Sequence, residues 1–166
     1  MALDKIIVGD VAASQRIASY ANRRIVRRTA WITARTGDSI IWLLLSLILI
    51  RLNWPVGWML LSTVIVTGLL TVVAKQFFKR ERPVEKWTIA ADIYSFPSGH
   101  AARAGAIAVT LAFALPQYAI LCILWAILVA LARVLLSRHF VADVTGGLLF
   151  GISTGILVQF LMRFYS

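Results

Sequence analysis

Long apolar runs, separated by short polar stretches, set the pattern of this chain. The runs cover about residues 39–52, 56–74, 98–115, 118–131 and 141–162. Runs of this length and polarity predict membrane helices, the first near the lower limit for a span and starting slightly before Ser39. Arg51, Asn53, Trp54 and Pro55 form the first turn. The second run stops at Lys75-Gln-Phe-Phe-Lys-Arg-Glu-Arg-Pro83, where Pro83 disfavours helical geometry at Arg82. Residues 84–96 make the one substantial polar connection. Residues 2–30 read differently. Leu3, Ile7, Val11, Ile17 and Ile25 fall near one face, and Arg16, Arg23, Arg24, Arg27 and Arg28 supply charge. That is an amphipathic helix lying on a membrane surface. Trp31 and Trp42 suit interfacial depth. The expected fold is all-α: residues 1–37 as a basic interfacial helix, and residues 38–166 as a core of about five transmembrane helices.

Composition agrees. Of 166 residues, 60% are hydrophobic and 14% charged, against about a quarter charged in soluble domains. The net charge of +10 points to an anionic partner, and beside so much membrane sequence that partner is lipid, not nucleic acid. Asp4, Lys5 and Asp10 interrupt the first apolar residues, which does not suit a cleavable leader. Cys122 lies in an apolar run and reads as a packing residue. Gly147, Gly151 and Gly155 recur every four residues and leave one helix face bare for close packing.

The chemistry gathers at one end. Alternating spans bring the ends of runs two and four and the starts of runs three and five to the same membrane face. Lys75, Arg82, Ser98, His100, Arg133, His139 and Asp143 collect there. In Phe96-Pro97-Ser98-Gly99-His100, Pro97 suits the first helical turn. Ser98 and Gly99 put a hydroxyl and open N–H groups at a helix N-terminus, a natural anion site. An N-cap beside an incidental histidine is the plainer alternative. His139 and Asp143 share a helix face, so the carboxylate can fix one ring nitrogen and leave the other to attack. A structural ion pair is the alternative. Lys75 and Arg82, about two helical turns apart, can face one anion or can simply anchor the chain to the bilayer. Together these groups supply what phosphoryl transfer requires: cations and backbone donors on the phosphate oxygens, a nucleophile in line and an acid for the leaving oxygen. Guanidinium groups can stabilise the charge, so neither a metal nor another cofactor is expected.

Lys75-x6-Arg82-Pro83, Pro97-Ser98-Gly99-His100 and Arg133-x5-His139-x3-Asp143 resemble the three signature motifs of the type 2 phosphatidic acid phosphatase superfamily, in order and in spacing. The resemblance covers Lys75 to the C-terminus. It implies His139 as nucleophile forming a phosphohistidine, Asp143 orienting it, and His100 protonating the leaving group. It further implies Lys75, Arg82, Ser98, Gly99 and Arg133 as phosphate ligands. Ala132 departs from the family's serine before the arginine, which puts a supporting hydroxyl in doubt. Asp92-x-Tyr94-Ser95-Phe96-Pro97-Ser98-Gly99-His100-Ala101-x-Arg103 resembles the branch acting on polyisoprenoid and presqualene diphosphates. Arg103 would then reach a second phosphate, or snorkel from a helix end. The implied activity is hydrolysis of lipid phosphates, isoprenyl (di)phosphates first, with phosphatidate, phosphatidylglycerophosphate and undecaprenyl diphosphate as alternatives. A non-enzymatic scaffold for anionic lipids is the rival from another class. The arginines before the first span place that end, and the site with it, on the cytoplasmic side.

Overall fold

A computed structural model describes residues 2–83 and 93–165. Most of the polar connection 84–96, including Asp92, lies outside the described residues. The regular elements among the described residues are all helical. They are α1 (Ala2–Ser19), a 3-10 turn (Tyr20–Asn22), α2 (Arg24–Thr36), α3 (Ser39–Arg51), α4 (Val56–Phe78), α5 (Gly99–Ala114), a second 3-10 turn (Pro116–Tyr118), α6 (Ala119–Leu135) and α7 (Val141–Tyr165). The five apolar runs are α3 to α7.

The bundle is built around α5, which packs against α4, α6 and α7. Its residues are small because it has neighbours on all sides: Ala101, Ala102, Ala104, Ala106 and Ala108 are all buried. The bare face of α7 meets it. A Cβ on Gly151 would collide with the Ala102 carbonyl, and one on Gly155 would sit 2.9 Å from the Ala106 oxygen. The four-residue glycine spacing is therefore a packing feature. Deeper in the bundle Thr63 and Thr110 share a hydrogen bond of 2.9 Å, and the Gln159 amide donates to Thr110 at 2.9 Å. These bonds tie α4, α5 and α7 where apolar surroundings strengthen each one. The outer surface is apolar. Leu69 and Val73 on α4, Ile120 and Leu124 on α6, and Leu149 and Phe160 on α7 all point outward, as side chains facing lipid do.

Among the described residues α4, α7 and α6 with its preceding turn are each long and apolar enough to cross a bilayer. The α2–α3 pair, bent by 44°, makes a fourth such length. Helix α5 has only 16 residues.

Several boundaries differ from the sequence reading. The N-terminal segment is two helices, not one, because Arg23 is extended between them. Both pack on the core: Ile17 meets the cluster of Ala101, Ala130, Val134 and Val144, and Ala30 and Ala34 meet Ala132. Helix α4 ends at Phe78 with Lys79 in the left-handed region, so Arg82 does not continue the helical face of Lys75. Pro97, after a cis peptide, precedes the N-cap Ser98 and does not occupy the first turn. The Trp42 ring lies 5.2 Å from that of Trp125, and its N–H donates to the Thr36 carbonyl at 2.7 Å.

Candidate active site

Helix α6 ends at Leu135, the chain turns through Ser137 at φ 54°, and α7 begins at Val141. This turn sets His139 just before α7 and Asp143 in its first turn, where a carboxylate suits the positive end of the helix. Both are buried, Asp143 completely. His139 Nδ1 lies 3.6 Å from Asp143 Oδ2, and that oxygen accepts the Phe140 N–H at 2.8 Å. The other carboxylate oxygen accepts from Arg80 Nη1 at 2.8 Å. His139 Nε2 faces the opposite way, 3.5 Å from Arg82 Nη1. Burial lowers the His139 pKa to about 4, with Arg133 and Arg82 acting in the same direction against the pull of Asp143. The ring is therefore neutral near pH 7, the form in which Nε2 carries a lone pair.

The cations converge from separate elements. Lys75 Nζ donates to the Tyr94 carbonyl at 2.6 Å, and Arg82 Nη2 reaches the same oxygen at 3.4 Å. Lys75 and Arg82 thus meet at one acceptor, although only Lys75 is on α4. Ser98 caps α5, yet its hydroxyl makes no capping bond. That hydroxyl is buried and has no hydrogen-bond partner among the described residues. The Ser98 N–H donates to the Asp143 carbonyl at 3.0 Å and pins the start of α5 to the start of α7. Gly147 permits this approach, since a Cβ there would lie 2.6 Å from the Ser98 oxygen. Gly99 and His100 follow, with the open N–H groups of a helix start.

His100 Nε2 is 2.8 Å from Asp38 Oδ1, and its Nδ1 is 3.5 Å from Arg103 Nη2. Arg103 therefore stands beside His100. The charge of Arg133 acts on both His100 and His139. His100 and Arg133 open onto a cleft of about 1090 Å³ whose other wall carries Arg24, Arg27, Arg28 and Arg35 of α2. All the motif residues expected from the sequence are thus brought to one end of the bundle.

Four further residues complete the site. Arg80 bridges Asp143 and Asp10, reaching Asp10 Oδ2 at 2.6 Å, and its guanidinium stacks 4.5 Å from the Phe140 ring. Asp10 also accepts the Ala142 N–H, and the Ser14 hydroxyl accepts the Val141 N–H, both at 2.9 Å. Helix α1 so caps the start of α7. Asp38 is the fourth. One signal for Asp10 and Asp38 was available: the chain has only seven acidic residues, which makes each unusual among 17 lysines and arginines. Ala132 is buried against α2, a contact that a small apolar side chain fits.

The family model of the PAP2 superfamily matches residues 56–165. The chain belongs to the PAP2 superfamily. It is 33% identical over 109 residues to a lipid A 1-phosphatase of Rhizobium etli, covering 60% of this chain and 47% of that one. It is 32% identical over 124 residues to phosphatidylglycerophosphatase B of Bacillus subtilis, covering 68% and 59%. This PAP2 chain thus spans about half the length of the curated relatives it matches. The crystal structure of a transmembrane PAP2-type phosphatidylglycerolphosphate phosphatase from Bacillus subtilis superimposes with a TM-score of 0.78 at 27% identity, covering 98% of this chain and 88% of that one. Aquifex aeolicus LpxE shares the fold, with a TM-score of 0.70 at 24% identity over 87% and 93% of the two chains. Like the transmembrane neighbour, this PAP2 chain is an integral membrane protein.

Proposed function

We propose that this chain is a lipid phosphate phosphatase that works through a phosphohistidine on His139. One observation carries the reading: a buried imidazole with Nδ1 toward Asp143 and Nε2 toward Arg82. Nε2 attacks phosphorus while the bond to the lipid oxygen breaks, and His100 gives that oxygen a proton. Lys75, Arg82, Arg133, the Ser98 hydroxyl and the N–H groups at Gly99 hold the phosphate oxygens as charge builds on them. Water then attacks the phosphohistidine, His100 takes its proton, and inorganic phosphate leaves. Lysine and arginine stabilise the charge throughout, so turnover should persist in EDTA.

The substrate reading is an isoprenyl (di)phosphate. The stretch Tyr94 to Arg103 supports it, as does Arg103 beside His100, where a second phosphate would be met. The arginine wall of α2 adds to the case for an extended anionic headgroup. Similarity to phosphatidylglycerophosphatase B and lipid A 1-phosphatase favours those headgroups as the second reading. Residues 1–37 form the interfacial unit, and the site opens on the cytoplasmic side with them.

The test is phosphate release by detergent-purified protein in EDTA, wild type against His139→Ala. The substrates are farnesyl diphosphate, undecaprenyl diphosphate, phosphatidate and phosphatidylglycerophosphate. Wild-type release that vanishes in the variant is expected, fastest on the isoprenyl substrates. Unchanged release by His139→Ala would overturn the mechanism. Anionic-lipid binding without turnover on any substrate would instead point to a scaffold.

A further inference from the structure

Asp38 stands at the break between α2 and α3, as the N-cap of α3. An aspartate there normally accepts a hydrogen bond from the first-turn N–H groups. Asp38 makes no such bond. Its Oδ1 lies 2.8 Å from His100 Nε2, and its other oxygen is 3.9 Å from Arg35 Nη1. The break is built to keep it there. The Thr36 carbonyl accepts the Trp42 N–H at 2.7 Å, and the Thr36 hydroxyl accepts the Trp125 N–H of α6 at 2.9 Å. Gly37 presses on α6 so closely that a Cβ would lie 2.8 Å from Val129 Cγ1.

We propose that Asp38 is a positioning residue for the general acid, holding the Nε2–H of His100 so that Nδ1 faces the leaving oxygen. The inference rests on the phosphohistidine reading above. The two histidines then form opposed pairs: Asp143 lies 3.6 Å from Nδ1 of His139, whose Nε2 attacks, while Asp38 holds Nε2 of His100 and leaves Nδ1, 3.5 Å from Arg103, to protonate. In the first step the P–O bond breaks, its electron pair stays on the lipid oxygen, and that oxygen takes the Nδ1 proton. The ring is left neutral with its proton on Nε2, the tautomer the carboxylate selects. In the second step Nδ1 takes a proton from the attacking water. The charged form of His100 shares its surroundings with the guanidinium of Arg103, 3.5 Å from Nδ1, and with Arg133 and the other arginines of the cleft. Asp38 supplies the opposite charge.

The test compares leaving groups. Farnesyl phosphate releases an alkoxide that needs a proton, whereas 4-nitrophenyl phosphate releases a phenolate that leaves unaided. Asp38→Asn should lower kcat on farnesyl phosphate about tenfold or more, with KM within about twofold. In the first turnover, the release of phenolate from 4-nitrophenyl phosphate by the same variant should stay within about threefold of wild type, because there only the second step draws on His100. The alkaline limb of its farnesyl phosphate pH profile should move to lower pH, since the imidazolium loses its counter-charge. Asp38→Glu should restore part of the rate. His139→Ala, run in parallel, should fail on both substrates. If it does not, the phosphohistidine reading fails, independently of Asp38. Equal losses of first-turnover release on both substrates in Asp38→Asn, or no loss on either, would overturn the positioning role.

Discussion

His139 is a histidine kept from charging. Burial holds its pKa near 4, below the 6.5 of an unperturbed imidazole, so the unfolded chain takes up this proton before the folded one does. The stability this contributes is whole above about pH 6.5 and is lost progressively as the pH falls toward 4, at no more than about 1.4 kcal/mol per pH unit. His139→Gln removes the titrating group. The melting temperature of wild type in detergent should therefore drop further than that of the variant between about pH 7 and about pH 4.5. Parallel curves would show that the ring is not held neutral. The motif residues were legible in the chain because each motif is local. The residues that support them were not. Arg80 finds Asp143 across 63 positions and Asp10 across 70, and Asp38 finds His100 across 62. No periodicity connects such distant pairs.

Helices were legible wherever apolar length decided them. Their ends were less so, because the ends answer to tertiary contacts. The basic pattern of residues 2–30 runs on past Arg23, but the chain turns there so that α1 can reach α7 and α2 can lie on α6. Lys79 adopts a left-handed conformation and frees Arg82 from the helix; the arginine still meets Lys75 at the Tyr94 carbonyl. Ser98 and Asp38 are both N-caps whose side chains make no capping bond. Composition alone would read them as helix starts, as it should. The Asp38 carboxylate meets His100 instead and the Ser98 hydroxyl is buried without a partner among the described residues, and departures from local preference of this kind are expected where function competes.

At the scale of the whole molecule, α1 and α2 gather at the end of the bundle that carries the site. Their arginines would place that end in the cytoplasm. A cysteine at the exposed Gln15, in a Cys122→Ser background, should react with an impermeant thiol reagent only after sealed cells are opened. Labelling from outside would reverse the orientation. The arrangement also ties chemistry to fold: Asp10 and Ser14 of α1 hold the first turn of α7, and Asp38 after α2 holds His100. On the reading proposed above, this assembly serves a double displacement at phosphorus, and the most direct test is stereochemical. A phosphorothioate monoester substrate, made chiral at phosphorus by oxygen isotope labelling, would be hydrolysed in water of a third isotope and the configuration of the released thiophosphate determined. Attack by His139 followed by attack of water inverts phosphorus twice, so net retention is the result predicted. Net inversion would mean a single direct attack by water and would contradict the phosphohistidine account.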